Sequence, residues 1–272
     1  MKRRRRMTSY LLVFCLFLPC VAKAGLTVVG GLTHVKDAAL GESYRGIIFV
    51  TNKGETALEA KIHQTDYLFF CNGKNIYGEP GGIRRSNANW IEFSPRRLLI
   101  PPKSISQVNY TVKVPYGRAL VGTYWSMLML EEIPKGSFEA IKRERDKSQV
   151  GIRMVLRYGI QMITNIGDTG VRKLKFLKTK VVSEHRKKFL QVDIENVGER
   201  WLRALLWVEL YDIRGSYVGR FEGGKLRVYP GTSVRYEVDL SHVPKGKYDA
   251  LIVADCGGED LFGVTYTLEF RR

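Results

Sequence analysis

The chain has 272 residues, with 44 Lys and Arg against 27 Asp and Glu and only four cysteines. That length suits one large or two ordinary domains, and the cysteine count excludes a scaffold held together by disulfides. A formal charge of +17 requires surroundings that tolerate a basic protein.

The chain opens on a basic head, Lys2 to Arg6, followed by an apolar run from Tyr10 to Leu18 and by Ala22-Lys23-Ala24 before Gly25. A basic stretch, a short apolar stretch and small residues at −3 and −1 predict a secretory signal peptide over residues 1–24. The apolar run falls short of the roughly 20 residues a spanning helix needs, which makes an uncleaved anchor the weaker reading. Cys20 follows Pro19, where a lipoprotein signal requires a small residue. No later apolar stretch is long enough to span a membrane. The expectation is a periplasmic or secreted protein, exported by a Sec-type signal and not membrane-spanning. Cleavage removes six basic residues and no acid, leaving a formal charge of about +11. It also removes Cys15 and Cys20. Cys71 and Cys256 then remain in an oxidising compartment, where a bridge between them and two buried free thiols are both open.

Beyond Gly25 the sequence reads as short alternating runs rich in β-branched and aromatic residues, punctuated by turns. Strands are expected near 26–36, 43–52, 56–70, 89–100, 104–114, 121–132 and 150–164. A second set follows near 171–182, 186–196, 202–213, 216–228, 232–240, 247–255 and 261–270. The two sets repeat one order of signals. Asn52-Lys53-Gly54-Glu55 has its counterpart in Asn196-Val197-Gly198-Glu199, and Tyr110 and Tyr236 stand at matching places in later strands. Pro115 before Gly122-Thr123-Tyr124 matches Pro244 before Gly246-Lys247-Tyr248. About seven strands per half is the immunoglobulin-type count. The fold class expected is therefore all-β, with two immunoglobulin-like β-sandwich domains in tandem at 25–164 and 171–272. A hinge is expected at 165–171, where Asn165, Gly167 and Gly170 cluster.

Two segments interrupt the spacing of the first half. Residues 71–88 are rich in Gly and Asn and carry Arg84 and Arg85. Residues 134–149 alternate in charge. Long loops on a β scaffold are common binding surfaces, so both are candidates, against a reading as solvated connections. Between Arg172 and Lys188 stand eight Lys or Arg and one acid, Glu184. For an exported protein, anionic cell-wall polymer or an acidic protein suits such a run better than nucleic acid, and no series of stacking aromatics accompanies it. Enzyme chemistry finds no footing. His34, His63, His185 and His242 lack metal-ligand spacing, and neither a Gly-x-Ser-x-Gly elbow nor a phosphate-binding loop occurs. No cofactor is expected.

Phe49-Val50-Thr51-Asn52, Trp90-Ile91-Glu92-Phe93-Ser94-Pro95 and Leu98-Leu99-Ile100-Pro101-Pro102 stand in order along the first half. On these residues it resembles the amino-terminal domain of the periplasmic pilus-chaperone (PapD-like) superfamily. The resemblance continues through the strand from Tyr124 to Pro134, the charged loop and the alternating strand that runs to Thr164. It implies a chaperone-like module that binds an exported or surface subunit by β-strand addition. The donated residues would be Ile152, Met154, Leu156, Tyr158, Ile160 and Met162, which share one face at period two. The family also anchors a terminal carboxylate with a first-strand Arg and a last-strand Lys. Here the Thr-Arg motif is missing around His34 to Lys36, and Gly159 stands in place of the Lys. Arg153 and Arg157 are the nearest substitutes, on the opposite face. The other reading is an envelope adhesion or scaffold module on anionic wall material or a surface protein.

Overall fold

The computed structural model describes residues 25–116, 119–133, 155–185 and 187–270. The leader, the charged loop 134–149 and the candidates Ile152, Arg153 and Met154 lie outside them. Apart from a 3-10 turn at Ala88–Trp90, every regular element described is a β-strand.

The first sandwich comprises β1 (Leu26–Val29), β2 (Thr33–Ala38), β3 (Ser43–Asn52), β4 (Leu58–Phe69), β5 (Asn75–Gly78), β6 (Ile91–Ser94), β7 (Arg97–Ile100), β8 (Ile105–Lys113), β9 (Gly122–Ile133) and β10 (Arg157–Ile166). One sheet has the order β1-β3-β8-β6; the other runs β2-β10-β9-β4-β5, with β7 also on β4. The second sandwich comprises β11 (Leu174–Glu184), β12 (Lys187–Asn196), β13 (Leu202–Asp212), β14 (Tyr217–Val228), β15 (Ser233–Asp239), β16 (Gly246–Asp255) and β17 (Leu261–Phe270). Its sheets are β11-β12-β15 and β14-β13-β16-β17. The ladders are antiparallel except for β2 against β10.

Alternation explains the layering. Along β13, Leu202, Ala204, Leu206, Val208 and Leu210 are buried while their neighbours are not, so one face of the strand enters the core. Each sandwich closes over its own core: Ile48, Val50, Leu128, Leu130 and Ile160 in the first, and Leu190, Val192, Leu206, Val208 and Ile252 in the second. Burying such a side chain contributes about 1.5–3 kcal/mol.

The repeat in the sequence becomes a repeat in structure. Asn52 and Asn196 are both fully buried at strand ends. Asn52 Nδ2 donates to the carbonyls of Thr56 (2.8 Å) and Ile100 (3.0 Å), and its Oδ1 accepts from Gly54 N at 2.9 Å. Asn196 Nδ2 donates to the carbonyls of Arg200 (2.7 Å) and Val228 (3.1 Å), and its Oδ1 accepts from Gly198 N at 2.9 Å. One amide thus ties a turn to a neighbouring strand in each sandwich.

Several boundaries differ from the sequence reading. The stretch 26–36 is two strands in different sheets, because Gly30 and Gly31 adopt φ of 89° and 106° and let the chain cross over. The stretch 89–100 divides at Ser94-Pro95 into β6 and β7. The loop after β4 contains the short hairpin strand β5 and is tied down at its far end. Buried Asp66 accepts from Ile83 N (2.9 Å) and Ser86 Oγ (2.5 Å), and buried Asn87 donates to Met162 O at 3.0 Å. The expected hinge is also pinned. Asn165 belongs to β10, Gly167 N donates to Ala38 O at 3.0 Å, and Thr169 Oγ1 accepts from Gly122 N at 3.0 Å.

Candidate functional site

β10 is the strand on which the sequence places the binding residues. Its alternation faces inward. Ile160 and Met162 are each 2% exposed and belong to the first core. Tyr158 packs against the same core, and its hydroxyl donates to Leu26 O at 2.7 Å. Leu156 precedes the strand and is only partly covered. Of the described donor candidates, Ile160 and Met162 are therefore committed to the chain's own interior, and Leu156 is the more accessible.

The backbone edge of β10 is open over a short length. On one side β9 pairs with all of Arg157–Ile166. On the other, the ladder to β2 begins only at Gln161. Among the described residues, the segment from Arg157 to Ile160 therefore has a strand on one side alone. Arg157 points to the outer face and pairs with Glu131 at 3.2 Å, as Lys61 does at 3.5 Å. Burial would raise the Glu131 carboxyl, but the hydrogen bond from Arg157 and the charges of Lys61 and Arg157 outweigh it and hold the group below its ordinary value.

The outer face of this sheet turns toward the second sandwich. Gly159 lies opposite Met129 on β9, and a Cβ built there would collide with the Met127 methyl. The place where the resemblance asks for a lysine is thus filled by methionine. A cation reaches this face from β14, in the second sandwich. Arg227 Nη1 donates to Gln161 Oε1 (2.6 Å) and to Thr33 Oγ1 (3.1 Å), bridging β10 and β2. Its guanidinium stands 5.0 Å from the Trp201 ring centroid, and its buried Nε has no hydrogen-bond partner among the described residues. Tyr229 donates its hydroxyl to the same Gln161 Oε1 at 2.5 Å, and burial pushes that hydroxyl up to about 12. Sequence reasoning missed Arg227, because a single basic residue in a strand carries no local signal.

Next to this bridge the sandwiches share a small core of Trp125, Ile163 and Tyr229. Trp125 stacks on Tyr229 at 4.8 Å with the rings 9° from parallel. Arg85 spans the same junction. It donates to Val121 O at 2.8 Å, pairs with Glu199 at 3.2 Å and lies 5.5 Å from the Tyr124 ring centroid. Arg84, by contrast, is exposed and lines two open clefts of about 510 and 580 Å³ beside the junction. Arg85 lines the same clefts, so the two arginines differ in that Arg85 straps the junction while Arg84 is exposed.

Cys71 and Cys256 are free and half-buried, and no bridge joins them. Cys71 N donates to Ser233 Oγ at 3.0 Å, whereas Cys256 packs against the second core, where burial first and then Asp260 and Asp255 push its thiol up to about 12. The basic run also looks different once folded. Lys175, Lys178 and Lys180 on β11 stand beside Glu195, Asp193 and Gln191 on β12, and the next strand adds Glu237 beside Gln191. Acids thus stand on the same face, although Asp193 is already held by Arg235 at 2.7 Å. No group of three or more His, Cys, Asp or Glu among the described residues could hold a metal ion.

No family model and no curated protein matches the chain. Among solved structures it is similar to a chain of the CsuC–CsuE chaperone–tip adhesion subunit pre-assembly complex of archaic chaperone-usher Csu pili from Acinetobacter baumannii. That likeness has 14% identity and a TM-score of 0.47, over 88% of this chain and 98% of that one. It is similar to the CupB2 chaperone of Pseudomonas aeruginosa at 13% identity and a TM-score of 0.41, over 89% and 98%. A chain of the complex of Salmonella enterica SafA pilin with the SafB chaperone gives 10% identity and a TM-score of 0.40, over 89% and 96%. The tandem immunoglobulin-like sandwiches stand on the ladders described above.

Proposed function

We propose that this chain is a non-enzymatic periplasmic protein that holds an exported, β-rich subunit in a chaperone-like manner, along β10 and the neighbouring cleft. The observation that carries the reading is the half-open edge of β10. From Arg157 to Ile160 one side of the strand pairs with no strand among the described residues, so a partner strand can add there through main-chain hydrogen bonds. Leu156, just ahead of this edge, supplies an accessible apolar side chain, and exposed Arg157 supplies charge on the outer face. Within the same reading Arg227 does the work of a cleft cation for an acidic or carboxylate group.

Co-expression with exported β-rich subunits, followed by affinity recovery, tests it. Leu156→Asp, alone or with Met154→Asp, should abolish recovery of the subunit and leave the melting temperature nearly unchanged. Recovery unaffected by these changes, or salt-sensitive binding to purified cell wall with no subunit recovered, would overturn the proposal.

A further inference from the structure

Tyr124, Leu128 and Leu130 of β9 enter the first core, so Met127, Met129 and Glu131 face outward. Both methionines are nonetheless buried, and they belong to neither sandwich core nor the junction core. A Cβ placed on Gly159 would stand 3.4 Å from Met129 Sδ and 3.7 Å from Met127 Sδ. Both thioethers therefore turn into the gap that glycine leaves on β10.

A third donor stands on the other side of β9. His63 on β4 is the direct partner of Met129, as Gly159 is on β10. Direct partners hold their Cβ atoms about 4.5–5.5 Å apart, which lets an imidazole nitrogen and a thioether sulfur meet at one ion. His63 is exposed, and its ring has no hydrogen bond to another described residue. Partial burial lowers its pKa below 6.5; Glu131 opposes this, and Lys61 and Arg157 add to it. At neutral pH the ring is thus uncharged and offers a lone pair.

We propose that Met127, Met129 and His63 form a site for a single Cu(I) ion. Two thioethers and an imidazole are a soft, uncharged donor set, which suits Cu(I) and not the harder divalent ions. Thioethers need no proton removed before they bind, and they form no disulfides. The neighbouring carboxylate, Glu131, is already held by Arg157 at 3.2 Å and Lys61 at 3.5 Å, so Zn(II) or Cu(II) finds no free anionic ligand beside the sulfurs. The same two cations repel a divalent ion about twice as strongly as a monovalent one. Exposed His63 gives the ion its way in, and Gly159 leaves the space in which the sulfurs converge. Neither the open edge of β10 nor a subunit enters this inference, so it stands or falls apart from the chaperone-like reading.

Anaerobic titration of the tag-free protein against Cu(I) bicinchoninate should withdraw a single equivalent of the ion, and copper K-edge absorption of the loaded protein should show sulfur neighbours. Leucine is close to methionine in volume, so Met127→Leu and Met129→Leu should keep the fold, as a thermal melt will show, and each should weaken Cu(I) capture at least about tenfold. His63→Gln should weaken it by a similar factor and remove the fall in affinity that the wild type shows as its imidazole protonates. Excess Zn(II) should leave the bound ion in place. No withdrawal of Cu(I), an affinity unmoved by either leucine or by the glutamine, or displacement by Zn(II) overturns the proposal. So does an edge spectrum with nitrogen and oxygen neighbours alone. That spectrum is read on the wild-type protein, so it decides the matter even where a variant fails to fold.

Discussion

A buried side-chain amide at the end of a strand is the residue on which each sandwich turns. Asn196 satisfies the carbonyls of Arg200 and Val228 and the Gly198 N–H at once. Asn196→Ala leaves all three without that partner, the bond to the Val228 carbonyl being fully buried, so it should cost about 2–4 kcal/mol in urea unfolding. Asn72→Ala, which removes an exposed bond to Lys74 N, should change stability by less than about 0.5 kcal/mol. Arg85 belongs to the same class of tie, because Glu199 answers it across the junction. Reversing its charge should lower stability, whereas Arg84→Glu should not. His34 gives a pH-dependent counterpart. Its Nδ1 lies 3.1 Å from the Tyr110 hydroxyl, and burial lowers its pKa below 6.5. The unfolded ring therefore takes up a proton at a higher pH than the folded one. Stability should be full above pH 6.5 and fall as pH drops through that value toward the lower folded-state pKa. A melting series of wild type against His34→Gln checks this: the gap between the two should change over that window and be constant above it.

At the scale of the element, β10 shows how far a sequence pattern reaches. Ile160→Asp buries a charge in the first core and should cost about 3 kcal/mol or more, while Leu156→Asp, two turns of the alternation earlier, should leave the melt almost unmoved. Thermal melts of the two variants side by side decide whether the strand serves two masters along its length. Period-two alternation in Tyr158, Ile160 and Met162 made the strand legible, and the matched Asn-x-Gly-Glu turns made the tandem legible. Alternation states that one face is apolar, but not what covers it. That depends on β1, β3 and β8, which are distant in sequence. The crossover at Gly30-Gly31 was hidden for a related reason, since two short strands of one polarity pattern read as a single long one. Arg227 was illegible because its role exists only where β14 meets β2 and β10. The lysines of β11 read as an isolated basic run because their neighbours Glu195 and Asp193 stand on β12, adjacent in space and remote in the chain.

At the scale of the whole molecule, the two sandwiches meet through a packed and hydrogen-bonded junction, and that governs how the protein should unfold. The Trp125–Tyr229 stack lies at its centre, with Ile163 beside it. Around the stack, Arg227 bridges to Gln161 and Thr33, Arg85 pairs with Glu199, and Arg200 pairs with Asp37 at 3.3 Å. Thr123 adds a backbone bond from its N–H to Glu199 O at 2.8 Å, and its Oγ1 accepts from Trp201 N at 3.0 Å. Each sandwich has its own core and would be expected to melt by itself, but these contacts add a coupling term lost when either one opens. Wild-type protein should therefore unfold in a single calorimetric transition, with the calorimetric and van't Hoff enthalpies equal. Trp125→Ala removes the largest buried side chain at the junction and should cost about 3–5 kcal/mol. Because the loss falls on the coupling as well as on the first sandwich, the transition should also divide in two, with the first sandwich melting at the lower temperature. Tyr229→Phe keeps the stack but gives up the bond to Gln161, and should lower the single transition without dividing it. Two transitions in the wild type, or one undivided transition in Trp125→Ala, would show that the junction joins the sandwiches without coupling them, and the cleft at β10 would then have no fixed geometry to offer a partner.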